Sequence, residues 1–385
     1  MLKSLKLINY KALEDFEIRK LGRLNLIVGK NNSGKSSVLE GLRILAAQGN
    51  PSLINEVIIE HDDQILVQEN EFITSFEGLF TGRAFPPDGS PVYIGTINRE
   101  EFIEIRKVFF EETTVEKPEN NGKASVVRTR TTFSERPNNG NRELDQTIQI
   151  TSHQHKENPI YIDDPDRQFK ILRRSKIFFD SVKQTPLSFI PTQFITPDSL
   201  AELWDKTVLT SYHTNIKDFL RFVSPELEDV AFIKTNNGSS IFFRHELRKC
   251  ERTGIVKLKN NPRPIPLNSM GDGMTRILQL ALGIYPAAGG ILLIDEFENG
   301  LHFSIQYSLW NAIFKLASEL DIQVFATTHS WDCIEAFTNA ANEHDDEAVL
   351  CKIGYGVGIN KNKIISTVYE KDDLLNLTQA DMELR

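Results

Sequence analysis

Near the N-terminus, two lysines, two serine hydroxyls and two glycines fall within eight residues, Gly29-Lys30-Asn31-Asn32-Ser33-Gly34-Lys35-Ser36, a complete G-x-x-x-x-G-K-S pattern. Gly29 and Gly34 let the backbone bend so that successive N–H groups point inward, where side chains would clash. Asn31, Asn32 and Ser33 between the glycines, and Ser37 just behind, complete a cradle of donors for an anion. Lys35 adds a point charge suited to the outer phosphates of a nucleotide, and the Ser36 hydroxyl is a hard oxygen ligand suited to Mg²⁺. Far along the chain, Gly290-Ile291-Leu292-Leu293-Ile294 runs into two adjacent acids, Asp295 and Glu296. The first is placed to hold Mg²⁺ through water together with Ser36. The second, one residue beyond, is placed to polarise a water that attacks a terminal phosphate. The chemistry these residues fit is Mg²⁺-dependent hydrolysis of a nucleoside triphosphate such as ATP.

A phosphate loop needs a strand before it and a helix behind it. Leu24-Asn25-Leu26-Ile27-Val28 is a short β-prone run, and the residues from Ser36 to Leu45 carry apolar side chains at helical spacing. The helix adds the positive end of its dipole to the same anion. A glycine-rich turn that merely matched the pattern would lack these flanks. The apolar run before Asp295 reads as a buried strand, so its two acids are not simply solvated surface charge. A third apolar run, Gln323-Val324-Phe325-Ala326-Thr327-Thr328, ends in His329. Between the loop and these strands, Ser269-Met270-Gly271-Asp272-Gly273 precedes the apolar helix Ile277–Ile284, which would put a serine hydroxyl and glycine amides at a helix N-terminus. Taken alone, that turn is equally an ordinary glycine-bearing cap.

At 385 residues, with 40% hydrophobic and 25% charged residues, the chain is long enough for a full α/β core. No apolar run approaches a membrane span, and Met1–Lys6 lacks the apolar core of a secretory signal. Cys250, Cys333 and Cys351 are widely spaced, which suits a reducing compartment and offers no zinc site. A cytoplasmic protein without a membrane partner is expected. A net charge of -9 argues against a surface that clings to polyanions everywhere, though it leaves room for a local basic groove.

The order of these motifs resembles the ABC-type ATPases of the SMC, RecF, Rad50 and OLD families. The opening also fits, with Ser4–Tyr10 and Leu13–Ile18 alternating as an antiparallel pair ahead of the loop. The resemblance spans both ends of the chain. It implies an α/β fold, an ABC-type P-loop head with an N-terminal antiparallel β element and a large mixed α/β insertion between the phosphate loop and the Ser-x-Gly-x-Gly motif. Residues 1–385 would form one head, with the nucleotide-binding core from 1–50 and 266–385 and an insertion at 51–265 holding a β-rich and a helical lobe. In these families Ser269, Gly271 and Gly273 would be offered to the γ-phosphate on an opposite subunit, so two copies would sandwich two ATP molecules. Glu296 and His329 match the catalytic glutamate and the switch histidine that senses the γ-phosphate. Gln193, in the stretch Leu187–Ile195 that reads as an apolar strand ending in a polar turn, stands where a glutamine reaches Mg²⁺ and the attacking water. A loop glutamine without that role fits its position equally well. Lys11 stands where a basic residue approaches the nucleotide, or is a solvated turn lysine.

Asp295-Glu296-Phe297-Glu298-Asn299-Gly300-Leu301-His302 is similar to the OLD-like and RecF-like branch, with His302 where transporter ATPases carry aspartate. No heptad series appears, so long coiled-coil arms are not expected. Asn360-Lys361-Asn362-Lys363 fails the guanine-reading pattern at its last position, and too little chain follows His329 for a TOPRIM nuclease. By that resemblance the ATPase would regulate or drive a separately encoded effector, a nuclease, in bacterial antiphage defence. The alternative is a RecF-like DNA-binding ATPase of repair, with Arg173 and Arg174 from the basic and apolar strip Arg167–Lys176 at the DNA. Val92–Ile97 and Phe102–Phe110 read as strands with one wet face. His61-Asp62-Asp63, His153-Gln154-His155 and Asp163-Asp164-Pro165-Asp166 read as solvated loops, and the polar stretches at 116–123 and 136–142 as hairpin tips.

Overall fold

The computed structural model describes residues 1–61, 64–68, 71–118, 124–133, 144–154, 160–161, 185–243, 246–358 and 361–374. The acidic run Asp163-Asp164-Pro165-Asp166, the strip Arg167–Lys176, the 136–142 turn, the 119–123 tip, Asp62, Asp63 and His155 lie outside them. So do residues 375–385, where a terminal polar helix is expected.

Helix α1, Lys35–Ala46, is wedged between two sheets. Ten of its twelve residues are buried, as a helix covered on all sides must be. On one side lies an antiparallel sheet. Strands β1 (Leu5–Tyr10) and β2 (Leu13–Ile18) pair as a hairpin with Leu5 opposite Ile18 and Tyr10 opposite Leu13. The sheet continues from β1 into β6 (Val92–Gly95), β7 (Phe102–Pro118), β9 (Asp145–Ser152) and β10 (Ile160–Tyr161), with β8 (Ala124–Phe133) also on β7. The N-terminal element and strands from 51–265 therefore build one sheet. β6 differs from the sequence expectation, because all four of its residues are buried. It lies between two strands, with α1 across its face, and Gly41 of α1 has Leu7 and Ile94 where a Cβ would stand.

On the other side of α1 lies a six-stranded sheet in the order β11-β15-β16-β3-β17-β18. Its members are β3 (Leu24–Val28), β11 (Leu187–Ile190), β15 (Ile291–Ile294), β16 (Gln323–Thr328), β17 (Ala348–Tyr355) and β18 (Ile364–Glu370). The first five run parallel and β18 closes the edge antiparallel. β3, β15 and β16 are buried at every residue, as parallel strands covered on both faces should be. This sheet takes β11 from inside 51–265, and Pro191 ends that strand sooner than the apolar text implies.

Helices cover the far face: α3 (Pro197–Thr207), α4 (Ser211–Val223), α5 (Asp272–Ile284), α6 (Phe303–Glu319) and α7 (Trp331–Glu343). Their apolar sides join Leu24, Leu292 and Val324 in one core, while Val38, Leu39 and Leu42 of α1 join Ile27, Leu293 and the antiparallel sheet in the other. A third sheet of β12 (Leu227–Phe243), β13 (Glu246–Leu258) and β14 (Ile265–Pro266) leads into the turn before α5. The short α2 (Pro51–Ile59) and the β4–β5 pair (Gln64–Gln68, Glu71–Thr74) complete the described α-helices and strands.

Candidate active site

Three neighbouring parallel strands deliver the charged residues to one edge of the sheet. β3 ends at Val28 and opens into the phosphate loop, β16 ends at Thr328 before His329, and β15 ends at Ile294 before Asp295 and Glu296. Because the strands are parallel and adjacent, all three sets leave from their C-terminal ends, where ligands bind in open α/β sheets.

The loop is shaped by its glycines. Gly34 has φ +90° and caps α1, and Asn32 also has a left-handed backbone, at φ +62°. At Gly29 the Ile353 carbonyl oxygen is 2.4 Å from where a Cβ would stand, so only glycine fits. Asn31, Asn32 and Ser36 are exposed, and Ser33 is buried. Lys35 is 7% exposed and folds back over the loop, donating to the Gly29 carbonyl at 2.7 Å and the Lys30 carbonyl at 3.0 Å. Burial lowers its ammonium pKa, while the fields of Glu296, Asp295 and Glu298 push the other way.

The two acids are held differently. Both oxygens of Asp295 accept from hydroxyls, Oδ1 from Thr327 at 2.7 Å and Oδ2 from Thr192 at 2.9 Å. Each oxygen keeps a free lone-pair direction. Glu296 has φ +45°, a left-handed backbone that costs a side-chain-bearing residue energy and recurs at functional sites. Its amide donates to the Thr327 hydroxyl at 2.8 Å, which fixes the turn. The His329 Nδ1 lies 3.2 Å from Glu298 Oε1 and 3.8 Å from Glu296 Oε1, and the His329 amide donates to Glu298 Oε1 at 3.0 Å.

Arg276 is fully buried in α5 and ties the Ser-x-Gly-x-Gly turn to this edge. Its guanidinium donates to the carbonyls of Pro191 at 2.6 Å, Asp295 at 2.8 Å and Glu296 at 2.9 Å. Burial lowers its pKa to about 10, so it remains a cation at neutral pH. Ser269 lies in the tight turn Leu267–Met270, Gly271 caps α5 with φ +84°, and both are exposed. Gly273 packs on the Gly300 carbonyl, and Asn299 donates to the Thr192 carbonyl at 2.6 Å. The turn, the segment after Glu296 and the loop after β11 therefore interlock within one chain.

Thr192, Thr327, Arg276 and Glu298 did not stand out in the sequence. Gln193 is exposed, one residue past the Thr192 that reaches Asp295. One residue departs from expectation. Lys11 bonds Glu40 of α1 and is 13% exposed, so it is not a solvated turn lysine. His61 is exposed in a turn, as expected, and also bonds the same carboxylate at 2.6 Å. His302 accepts from the Ser304 amide and caps α6.

The family described as "AAA domain, putative AbiEii toxin, Type IV TA system" matches residues 24–332, from the loop strand to just past His329. The chain belongs to this family. As a member it is a P-loop ATPase that binds and hydrolyses ATP. It is 24% identical over 363 residues to an "ATP/GTP phosphatase" of Helicobacter pylori, covering 90% of each chain. A 61-residue stretch is 34% identical to the "Uncharacterized protein MJECL10" of Methanocaldococcus jannaschii, which is 16% of this chain and 28% of that one. Similar solved structures include an SMC head bound to the C-winged helix domain of ScpA (TM-score 0.47, 12% identity, 97% of this chain and 99% of that one). Another is the SMC head domain from Thermotoga maritima (TM-score 0.44, 12% identity, 96% and 99%). Among the described residues, no helix is long and apolar enough to cross a membrane.

Proposed function

We propose that residues 1–385 form one ATPase head that closes on a second copy around two ATP molecules and so controls a separate effector. The observation that carries the ATP site is the shared edge of β15, β16 and β3, which brings Asp295, Glu296, His329 and Lys35 around one loop. In this reading Gly29, Asn31, Asn32, Ser33, Gly34, Lys35 and Ser37 hold the phosphates. Glu296 takes a proton from the attacking water, and His329, braced by Glu298, meets the γ-phosphate. Among the described residues no cluster of three or more His, Cys, Asp or Glu side chains offers a cage for a metal. One hydroxyl, Ser36, and one carboxylate, Asp295, with Gln193 from the loop after β11, instead suit a cation completed by phosphate oxygens and water, which is how Mg²⁺ is usually held. When bound, Mg²⁺ would neutralise charge that develops on the phosphates.

The exposed Ser269 and Gly271 at the start of α5 form the surface offered to the partner's γ-phosphate, with Gly273 just inside the helix. Arg276 links that surface to the backbone of Glu296, so closure and hydrolysis would be coupled. The family description names a type IV TA system, which supports a regulated role beside a partner. The OLD-like text from Asp295 to His302 supports an effector, a nuclease of antiphage defence. The test is hydrolysis and ATP binding by two variants. Lys35→Ala should lose both. Glu296→Gln should keep binding and lose about 10²- to 10⁴-fold in turnover, the usual worth of a general base. Full-rate hydrolysis by Glu296→Gln would remove Glu296 from the reaction.

A further inference from the structure

The carboxylates account for one end of a bound nucleotide only. In the sheet order, Asp295 and Glu296 stand two strands to one side of β3 and His329 stands one strand to that side. A triphosphate whose terminal phosphate faces those groups directs its nucleoside toward the opposite side, where β17 and β18 stand. β17 runs parallel to β3 with Lys352 level with Val28, so Ile353, Gly354 and Tyr355 run on past the end of β3, beside the phosphate loop. The two are in contact, since the Ile353 carbonyl closes on Gly29, and Ile364 of β18 lies 3.5 Å from where a Cβ on Gly34 would stand.

Strand alternation then fixes the direction of Tyr355. Cys351 and Ile353 belong to the core that holds Val38 and Leu42 of α1, and a period of two puts Tyr355 on that same face. Its cross-strand neighbour Ile364 belongs to the same core. Ile353 is 1% exposed, whereas Tyr355, two residues further, is 62% exposed. The strand therefore carries an open aromatic ring past the buried layer, on the face of α1 and beside the loop that caps this helix.

We infer that Tyr355 is the base platform of the nucleotide site, with the purine of a nucleoside triphosphate stacking on its ring. This rests on the reading of Gly29–Ser36 as the phosphate cradle. Stacking is tolerant of base identity, so the subsite takes ATP and GTP alike.

Calorimetric titration with Mg-ATP, Mg-GTP and inorganic tripolyphosphate tests it on the wild type, Tyr355→Ala, Tyr355→Phe and Lys35→Ala. Tyr355→Ala should lose about tenfold in affinity for ATP and GTP and nothing for tripolyphosphate, while Tyr355→Phe binds all three as wild type does. Unchanged ATP affinity in Tyr355→Ala would overturn the inference. So would an equal loss for tripolyphosphate, which would place the effect on the loop's shape rather than on the base. Lys35→Ala should lose all three ligands. If it still bound tripolyphosphate, the phosphate cradle itself would be wrong and this subsite would fall with it.

Discussion

Helix α1 carries buried charge in two places and treats it in opposite ways. In its middle turns, Glu40 is 6% exposed and bonds both Lys11 and His61, and Arg43, equally buried, donates to both oxygens of Glu60 and lies over the Phe189 ring at 4.3 Å. Burial alone would raise the Glu40 carboxyl, but the bonds from His61 and Lys11 outweigh it and hold the pKa below the usual carboxylate value. At the N-terminus, Lys35 is as buried but rests on two loop carbonyls, and its ammonium pKa is lowered by burial. Among the described residues no carboxylate is paired with it. The first arrangement is a finished brace between α1, the β1–β2 turn and the end of α2. The second holds a cation on two loop carbonyls.

Removing charge at each place should sharpen that contrast. The largest effect expected is at the brace. Glu40→Gln leaves Lys11 buried without its partner and should cost about 3–5 kcal/mol in denaturant unfolding, with turnover per folded molecule unchanged. Because the folded pKa of Glu40 is depressed, its contribution is complete above the unfolded carboxylate pKa and is lost as pH falls through the folded one. The stability gap between wild type and Glu40→Gln should therefore narrow in acid. A gap that widened would mean that the carboxylate is not what Lys11 and His61 hold.

An intermediate effect is expected at Thr327, whose hydroxyl serves both Asp295 and the Glu296 amide. Thr327→Val should slow hydrolysis by about tenfold or more, the worth of one hydrogen bond to a charged group, with ATP still bound. Unchanged turnover would show that Asp295 and Glu296 hold their positions without it. The smallest effect on stability should come from Lys35. Its depressed pKa means that the folded state disfavours the charged form, so without nucleotide Lys35→Ala should change stability by between nothing and a gain of about 1 kcal/mol. A loss comparable to that of Glu40→Gln would make Lys35 a brace as well.

Much of the architecture could be read from local text. The β1–β2 pair, the strand and helix around the loop, and the buried strands before Asp295 and His329 follow from periodicity, because each is specified by neighbouring residues. What could not be read depends on contacts between distant residues. Nothing near Leu187 announces that it will pair with Ile291, and nothing near Val92 says that its strand will be covered on both faces. The site divides in the same way. Gly29–Ser36, Asp295, Glu296 and His329 carry spacing that can be recognised, whereas Thr192 meets Asp295 across 103 positions and Arg276 meets Glu296 across 20. Thr327 was the most accessible of the missed residues, since it sits two positions before His329. Glu40 reads as an ordinary helix-surface acid, and its burial under the second sheet, with bonds to Lys11 and His61, could not be anticipated.

If ATP joins two copies through the turn at Ser269, sedimentation of the Glu296→Gln protein with saturating ATP should give a mass that doubles with ATP but not with ADP, and a return to single chains when Ser269→Arg is added. A protein that remained a single chain with ATP bound would contradict the proposed closure.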